Sequence, residues 1–116
     1  MSVTIYHNPR CSKSRQTLAL LEEQGLDLQV VEYLKTPPDA AGLKALLERL
    51  GLAPRELMRR KEAVYKELGL DDEGLSEAAL IQAMVENPIL IERPIVVAGE
   101  RAALGRPPEA VLQILD

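Results

Sequence analysis

The first third of the chain is its most restrictive feature. Val3-Thr4-Ile5-Tyr6 is a run of β-branched and aromatic residues halted by Asn8-Pro9, which predicts a short strand. Leu18, Leu20 and Leu21 predict a helix from about Ser12 to Gln24, with Gly25 as its stop. Leu28-Gln29-Val30-Val31-Glu32-Tyr33 then predicts a second strand. A strand, helix and strand in that order give two parallel strands joined by a right-handed crossover.

The rest of the chain narrows the choice. Thr36-Pro37-Pro38-Asp39 punctuates, and Leu43, Leu46, Leu47 and Leu50 mark a second helix that stops at Gly51. Residues 54–67 read as short helical pieces, residues 69–74 as a polar loop, and a further helix starts at Ser76 and ends before Asn87-Pro88. Pro94-Ile95-Val96-Val97-Ala98 is a strand, Gly99-Glu100 a two-residue turn, and Arg101–Leu104 its weaker partner. Pro107-Pro108 opens a final helix over Glu109–Leu115. The order β-α-β, helices, β-β-α is that of an α/β, thioredoxin/glutaredoxin-like mixed four-stranded sheet. It predicts one domain over residues 1–116 with a helical insertion at about 39–88.

Composition removes whole classes of function. The 116 residues hold one Cys and one His, so neither an internal disulfide nor the three or four Cys/His ligands of a zinc site can be supplied. A net charge of −4 with few aromatics argues against nucleic acid as a partner. No charge-free stretch exceeds nine residues, which argues against a membrane span. Arg10 interrupts any signal-like apolar run, so the expected location is cytoplasmic, where a lone thiol stays reduced.

That thiol, Cys11, follows the first strand and opens the first helix, where unpaired N–H groups and the helix dipole favour an anion. Residues 1–21 contain no Asp or Glu but carry Arg10, Lys13, Arg15 and His7. All four are expected to pull the thiol pKa down. Cys11-Ser12-Lys13-Ser14 has the spacing of a Cys-x-x-Cys redox motif with serine in the resolving place. Serine cannot close a disulfide, so any redox cycle needs an external thiol. Ser12 and Ser14 are also ordinary helix-start residues. His7 has two readings, a partner of the thiolate or a satisfied strand-end histidine; Asn8 either orients the loop or starts a turn.

Three arginines stand out by context. Arg93 and Arg106 each precede proline and so lie in extended segments. In a thioredoxin-like sheet the proline entering the third strand, here Pro94, lies beside the redox Cys and is commonly cis, which puts Arg93 next to Cys11. Arg59 heads an Arg-Arg-Lys run and reads either as a solvated helix end or as an anion ligand. A guanidinium fork suits bidentate binding of a tetrahedral oxyanion.

Tyr6-His7-Asn8-Pro9-Arg10-Cys11-Ser12-Lys13-Ser14-Arg15, Glu92-Arg93-Pro94-Ile95-Val96-Val97 and Gly105-Arg106-Pro107 closely resemble the glutaredoxin-coupled arsenate reductases. The resemblance extends through Tyr33–Pro38, Leu57–Arg60 and Tyr65–Leu70 and so covers essentially the whole chain. It implies Cys11 as the nucleophile toward arsenate, His7 as the residue keeping it ionised, and Arg59, Arg93 and Arg106 as oxyanion ligands. Asn8, Ser14 and Pro94 fall in supporting places. It implies a monomer with no bound cofactor, using glutathione as co-substrate and glutaredoxin as partner. Cys-Ser-Lys-Ser departs from the Cys-Gly-Thr-Ser of some members. Two other readings stand beside it: a Spx-type transcription regulator binding RNA polymerase, and a glutathione-dependent thiol-disulfide oxidoreductase without arsenate activity. Regulators of that type often carry Cys-x-x-Cys, which this chain lacks, and the three arginines favour the enzyme.

Overall fold

Alternation along the first strand sets the sheet. In the computed structural model, which describes residues 2–115, β1 runs Ser2–His7 and buries Val3, Ile5 and His7 on one face. β1 pairs in parallel with β2 (Asp27–Glu32) and antiparallel with β3 (Ile95–Ala98). β4 (Arg101–Leu104) continues antiparallel from β3, giving the order β2-β1-β3-β4. This is the thioredoxin-like mixed sheet that the element order predicts.

The chain divides into two compact units: the residues through Thr36 with those from Arg93 onward, and Pro37–Glu92. In the first unit, α1 (Ser12–Glu23) makes the crossover between the parallel strands. Its Leu21 is buried with Val3, Ile5, Val96, Ala98, Val111 and Ile114. Full burial of a large apolar side chain contributes about 1.5–3 kcal/mol relative to exposure, so this cluster holds helix and sheet together. Ala98 pairs with Arg101 across Gly99-Glu100, and Gly99 takes a positive φ of 64°, which glycine adopts without a Cβ penalty.

Several element ends shift by a residue, and two differences have a clear physical reason. β2 covers Asp27–Glu32 rather than Leu28–Tyr33, because β1 offers partners only from Ser2 to His7 and the register pairs those with Asp27 to Glu32. The final helix is a 3-10 helix, Pro108–Ile114, rather than an α-helix. Its buried residues, Pro108, Val111 and Ile114, recur every third position. A helix of three residues per turn stacks them on one face, where an α-helix would fan them out. The segment packs on α1 and β4. The Arg93–Pro94 peptide at the entry to β3 is cis, and so is Arg106–Pro107.

The second unit is helical. α2 (Ala40–Leu50) is capped by Asp39, whose side chain accepts from the Gly42 N–H at 2.7 Å, and it buries Leu43, Leu46 and Leu47. The short helical pieces are α3 (Pro54–Leu57) and α4 (Ala63–Glu67). α5 (Glu77–Glu86), capped by Ser76, packs against α2 and α3. A single 3-10 turn at Pro88–Leu90 follows, and Ile91 bridges to Met58. Among the described residues no helix is long and apolar enough to cross a membrane.

Candidate active site

The end of β1 turns into α1 through residues 8–11, where Asn8 is bonded to both Arg10 and Cys11. Asn8 is buried; its side-chain oxygen accepts from the Arg10 N–H at 3.0 Å and its carbonyl from the Cys11 N–H at 3.0 Å. Asn8 therefore both starts the turn and orients the loop. Cys11 occupies the cap position of α1 in extended conformation, at φ −96° and ψ 123°. It is a free, half-buried thiol placed where a capping oxygen would sit. The sulfur makes no formal cap hydrogen bond. The Ser14 and Lys13 peptide N–H groups nonetheless act on it as donors.

From the far end of the chain come two guanidinium groups. Arg106 Nη2 donates to Cys11 Sγ at 3.6 Å, and its Nε donates to the Arg93 carbonyl at 2.8 Å. The buried Arg93 side chain is itself a donor to the sulfur. Burial pushes the Cys11 thiol up, but the Ser14 N–H, Arg93, the Lys13 N–H and the charge of Arg106 together outweigh it, and its pKa lies below the ordinary thiol range.

The helix-start N–H groups act on the thiol as expected, but the flanking side chains do not. His7 and the Arg10, Lys13 and Arg15 side chains are not among the groups that act on the thiol. Arg10, Lys13 and Arg15 are exposed, where water screens them, and Arg15 turns back to the Pro9 carbonyl at 2.9 Å. His7 is buried, and its Nδ1 lies 2.6 Å from Ser14 Oγ rather than on the sulfur. Burial lowers the His7 pKa, Arg15 adds to the effect and Glu32 opposes it, so the imidazole is neutral near pH 7. His7 is thus a hydrogen-bonded strand-end histidine whose partner is the residue two places beyond Ser12.

Arg59 belongs to the helical unit. Its Nε donates to Glu62 at 3.1 Å and its Nη1 to Glu92 at 2.9 Å, and these carboxylates hold its charge firmly. Its own N–H donates to the Leu90 carbonyl at 2.7 Å. It is a half-buried, doubly paired arginine rather than a solvated helix end. Glu62 was legible as an i,i+3 neighbour of Arg59. Glu92 and Gly105 left no such signal. Gly105 is buried with its N–H on the Pro94 carbonyl at 2.9 Å. A Cβ there would lie 2.6 Å from Pro94 Cγ and clash with the Thr17 hydroxyl.

A sheet of this order, with one thiol at the start of α1 and a proline-entered third strand beside it, defines a single-cysteine protein of the thioredoxin-like class. The chain belongs to the ArsC family, which matches residues 6–114. It is 53% identical to an arsenate reductase of Neisseria meningitidis over 97% of either chain. It is 65% identical to the uncharacterized protein YfgD of Escherichia coli, over 97% of this chain and 96% of that one. The solved arsenate reductase of Vibrio cholerae superposes with a TM-score of 0.96 at 60% identity, covering 98% of each chain.

Proposed function

We propose that the protein reduces arsenate to arsenite, with Cys11 as the nucleophile and glutathione and glutaredoxin as external reductants. The observation that carries this reading is the convergence of Arg93, Arg106 and two peptide N–H groups on the Cys11 sulfur. Such donors favour the thiolate, and the guanidinium forks suit a tetrahedral oxyanion drawn up to it. The names of its relatives support arsenate as that oxyanion.

The Cys11 thiolate attacks the arsenic of arsenate: an As–S bond forms, an As–O bond breaks, and the departing hydroxide takes a proton from a second arsenate hydroxyl and leaves as water. Glutathione then attacks the arsenic–sulfur adduct. Two thiol sulfurs are oxidised to one disulfide while As(V) takes the electron pair and departs as arsenite. The sequence holds no second cysteine to resolve the resulting Cys11–glutathione disulfide, which favours reduction by glutaredoxin. A monomer in the cytoplasm, where glutathione keeps thiols reduced, completes the reading. Arg59 enters it by its match to the family motif; Glu62 and Glu92 fix the direction of its fork.

The test is NADPH oxidation coupled through glutathione reductase, glutathione and glutaredoxin. Oxidation that requires arsenate, and that disappears in Cys11→Ser, is the expected result. A rate indifferent to arsenate overturns the proposal.

A further inference from the structure

The buried polar groups beneath Cys11 form a chain with a direction. Ser14 is fully buried; its Oγ accepts the Asn8 N–H at 3.0 Å and lies 2.6 Å from His7 Nδ1. A peptide N–H only donates, so one Ser14 lone pair is committed to Asn8. The hydroxyl hydrogen needs an acceptor, because leaving it unpaired in a buried site costs about 1–3 kcal/mol in general. Among the described residues His7 Nδ1 is the one acceptor that the Ser14 hydroxyl meets. The order is therefore Asn8 N–H to Ser14 Oγ, then Ser14 O–H to His7 Nδ1, which requires a neutral imidazole with its proton on Nε2.

We propose that Ser14 is the positioning residue of the Cys11 thiolate, and that His7 serves Ser14 as a neutral acceptor rather than serving the thiolate as a cation. The proposal rests on the reading of Cys11 as the reacting thiol. Its mechanism is steric and dipolar. The Ser14 hydroxyl ties the first turn of α1 to the end of β1 and to the loop before it. The same residue's N–H acts on the sulfur, and the Cys11 N–H is held by the carbonyl of Asn8, the residue that Ser14 anchors. One hydroxyl thus fixes the backbone on both sides of the thiol.

The charges around His7 bear on its protonation. Glu32, its register partner on β2, favours the imidazolium, whereas Arg15 from α1 disfavours it. Arg10 and Lys35 line the same cleft of about 200 Å³. Burial outweighs Glu32 in this balance.

The experiment titrates Cys11 in the full-length protein by ultraviolet thiolate absorbance, with far-ultraviolet dichroism confirming each fold. His7→Asn supplies an amide oxygen in place of Nδ1 but cannot carry charge, and it is expected to leave the midpoint at its wild-type value. His7→Ala and Ser14→Ala are each expected to raise it by about one pH unit, the scale of a hydrogen bond to a charged group. The double variant should rise no further than either alone, because both break the same chain. If His7→Asn raises the midpoint as far as His7→Ala, the charge matters and the proposal is overturned. An unmoved midpoint in Ser14→Ala overturns it as well. Because this readout needs no arsenate, normal titration behaviour without arsenate turnover would sink only the proposed activity.

Discussion

Arg106 reaches Cys11 from 95 residues away, its Nη2 standing 3.6 Å from the sulfur while its Nε is fixed on the Arg93 carbonyl at 2.8 Å. One guanidinium plane spans two anchor points, which an ammonium on a flexible stem cannot do at once. Arg106→Lys should keep the charge yet lose the bridge. We expect the arsenate KM to rise roughly tenfold, the equivalent of one charge-assisted hydrogen bond. Steady-state kinetics in the coupled assay checks this, and an unchanged KM would show that charge alone suffices.

Acidity at Cys11 is also a stability statement. Its folded-state pKa lies below the ordinary thiol value, burial being outweighed by the Ser14 and Lys13 N–H groups and the two arginines. The thiolate therefore contributes stability that is fully present above the unfolded value, about 8.5, and is lost as pH falls through the lowered folded value. Urea midpoints of the wild type should climb with pH across that window, and those of Cys11→Ser should climb less. Equal pH slopes in the two proteins would contradict the assignment.

Gly105 is packed too tightly to carry a side chain. A methyl group there meets Pro94 at 2.6 Å and the Thr17 hydroxyl, and Thr17 is itself buried and bonded to the Lys13 carbonyl at 2.8 Å. Gly105→Ala should destabilise the protein by about 1–3 kcal/mol, the usual cost of overpacking. It should also raise the Cys11 thiol midpoint, since Arg106 is the next residue. Thermal unfolding and thiol titration on the same sample measure both effects. A stable variant would mean that α1 shifts to make room.

Arg59 balances two carboxylates. Arg59→Ala leaves Glu62 and Glu92 facing one another without their shared cation, in a half-buried setting. A stability loss of about 1–2 kcal/mol is expected, and Arg59→Ala with Glu92→Gln should recover part of it. Denaturant titration of the single and double variants decides the point; full additivity would show that the pair is not coupled.

Local grammar carried most of the fold. The β-branched run at Val3–Tyr6, the stops at Gly25 and Gly51, the helix start at Ser76 and the Gly99-Glu100 turn all stand where the sequence predicts them. What local pattern could not decide was the helix type at Pro108–Ile114, since α and 3-10 differ only in which face meets a core assembled from distant strands. The site divides in the same way. Cys11 at a helix start was readable, and so was Arg93 beside it. Of the groups that tune the thiol, the helix-start N–H groups were readable from its position, whereas the flanking cations expected to join them are exposed and face water. The His7–Ser14 bond was hidden because one end of it lies on a strand and the other on a helix, and only the folded turn brings them together.

The sheet that carries Cys11 is assembled from both ends of the chain. A ribosome therefore releases the thiol long before it releases Arg93, Arg106 or the Pro108–Ile114 segment that packs on α1. The nascent thiol thus exists before two of the four groups that lower its pKa, Arg93 and Arg106, have been made. The two arginines flank β3 and β4, so the late segment that completes the sheet also completes the thiol's set of donors.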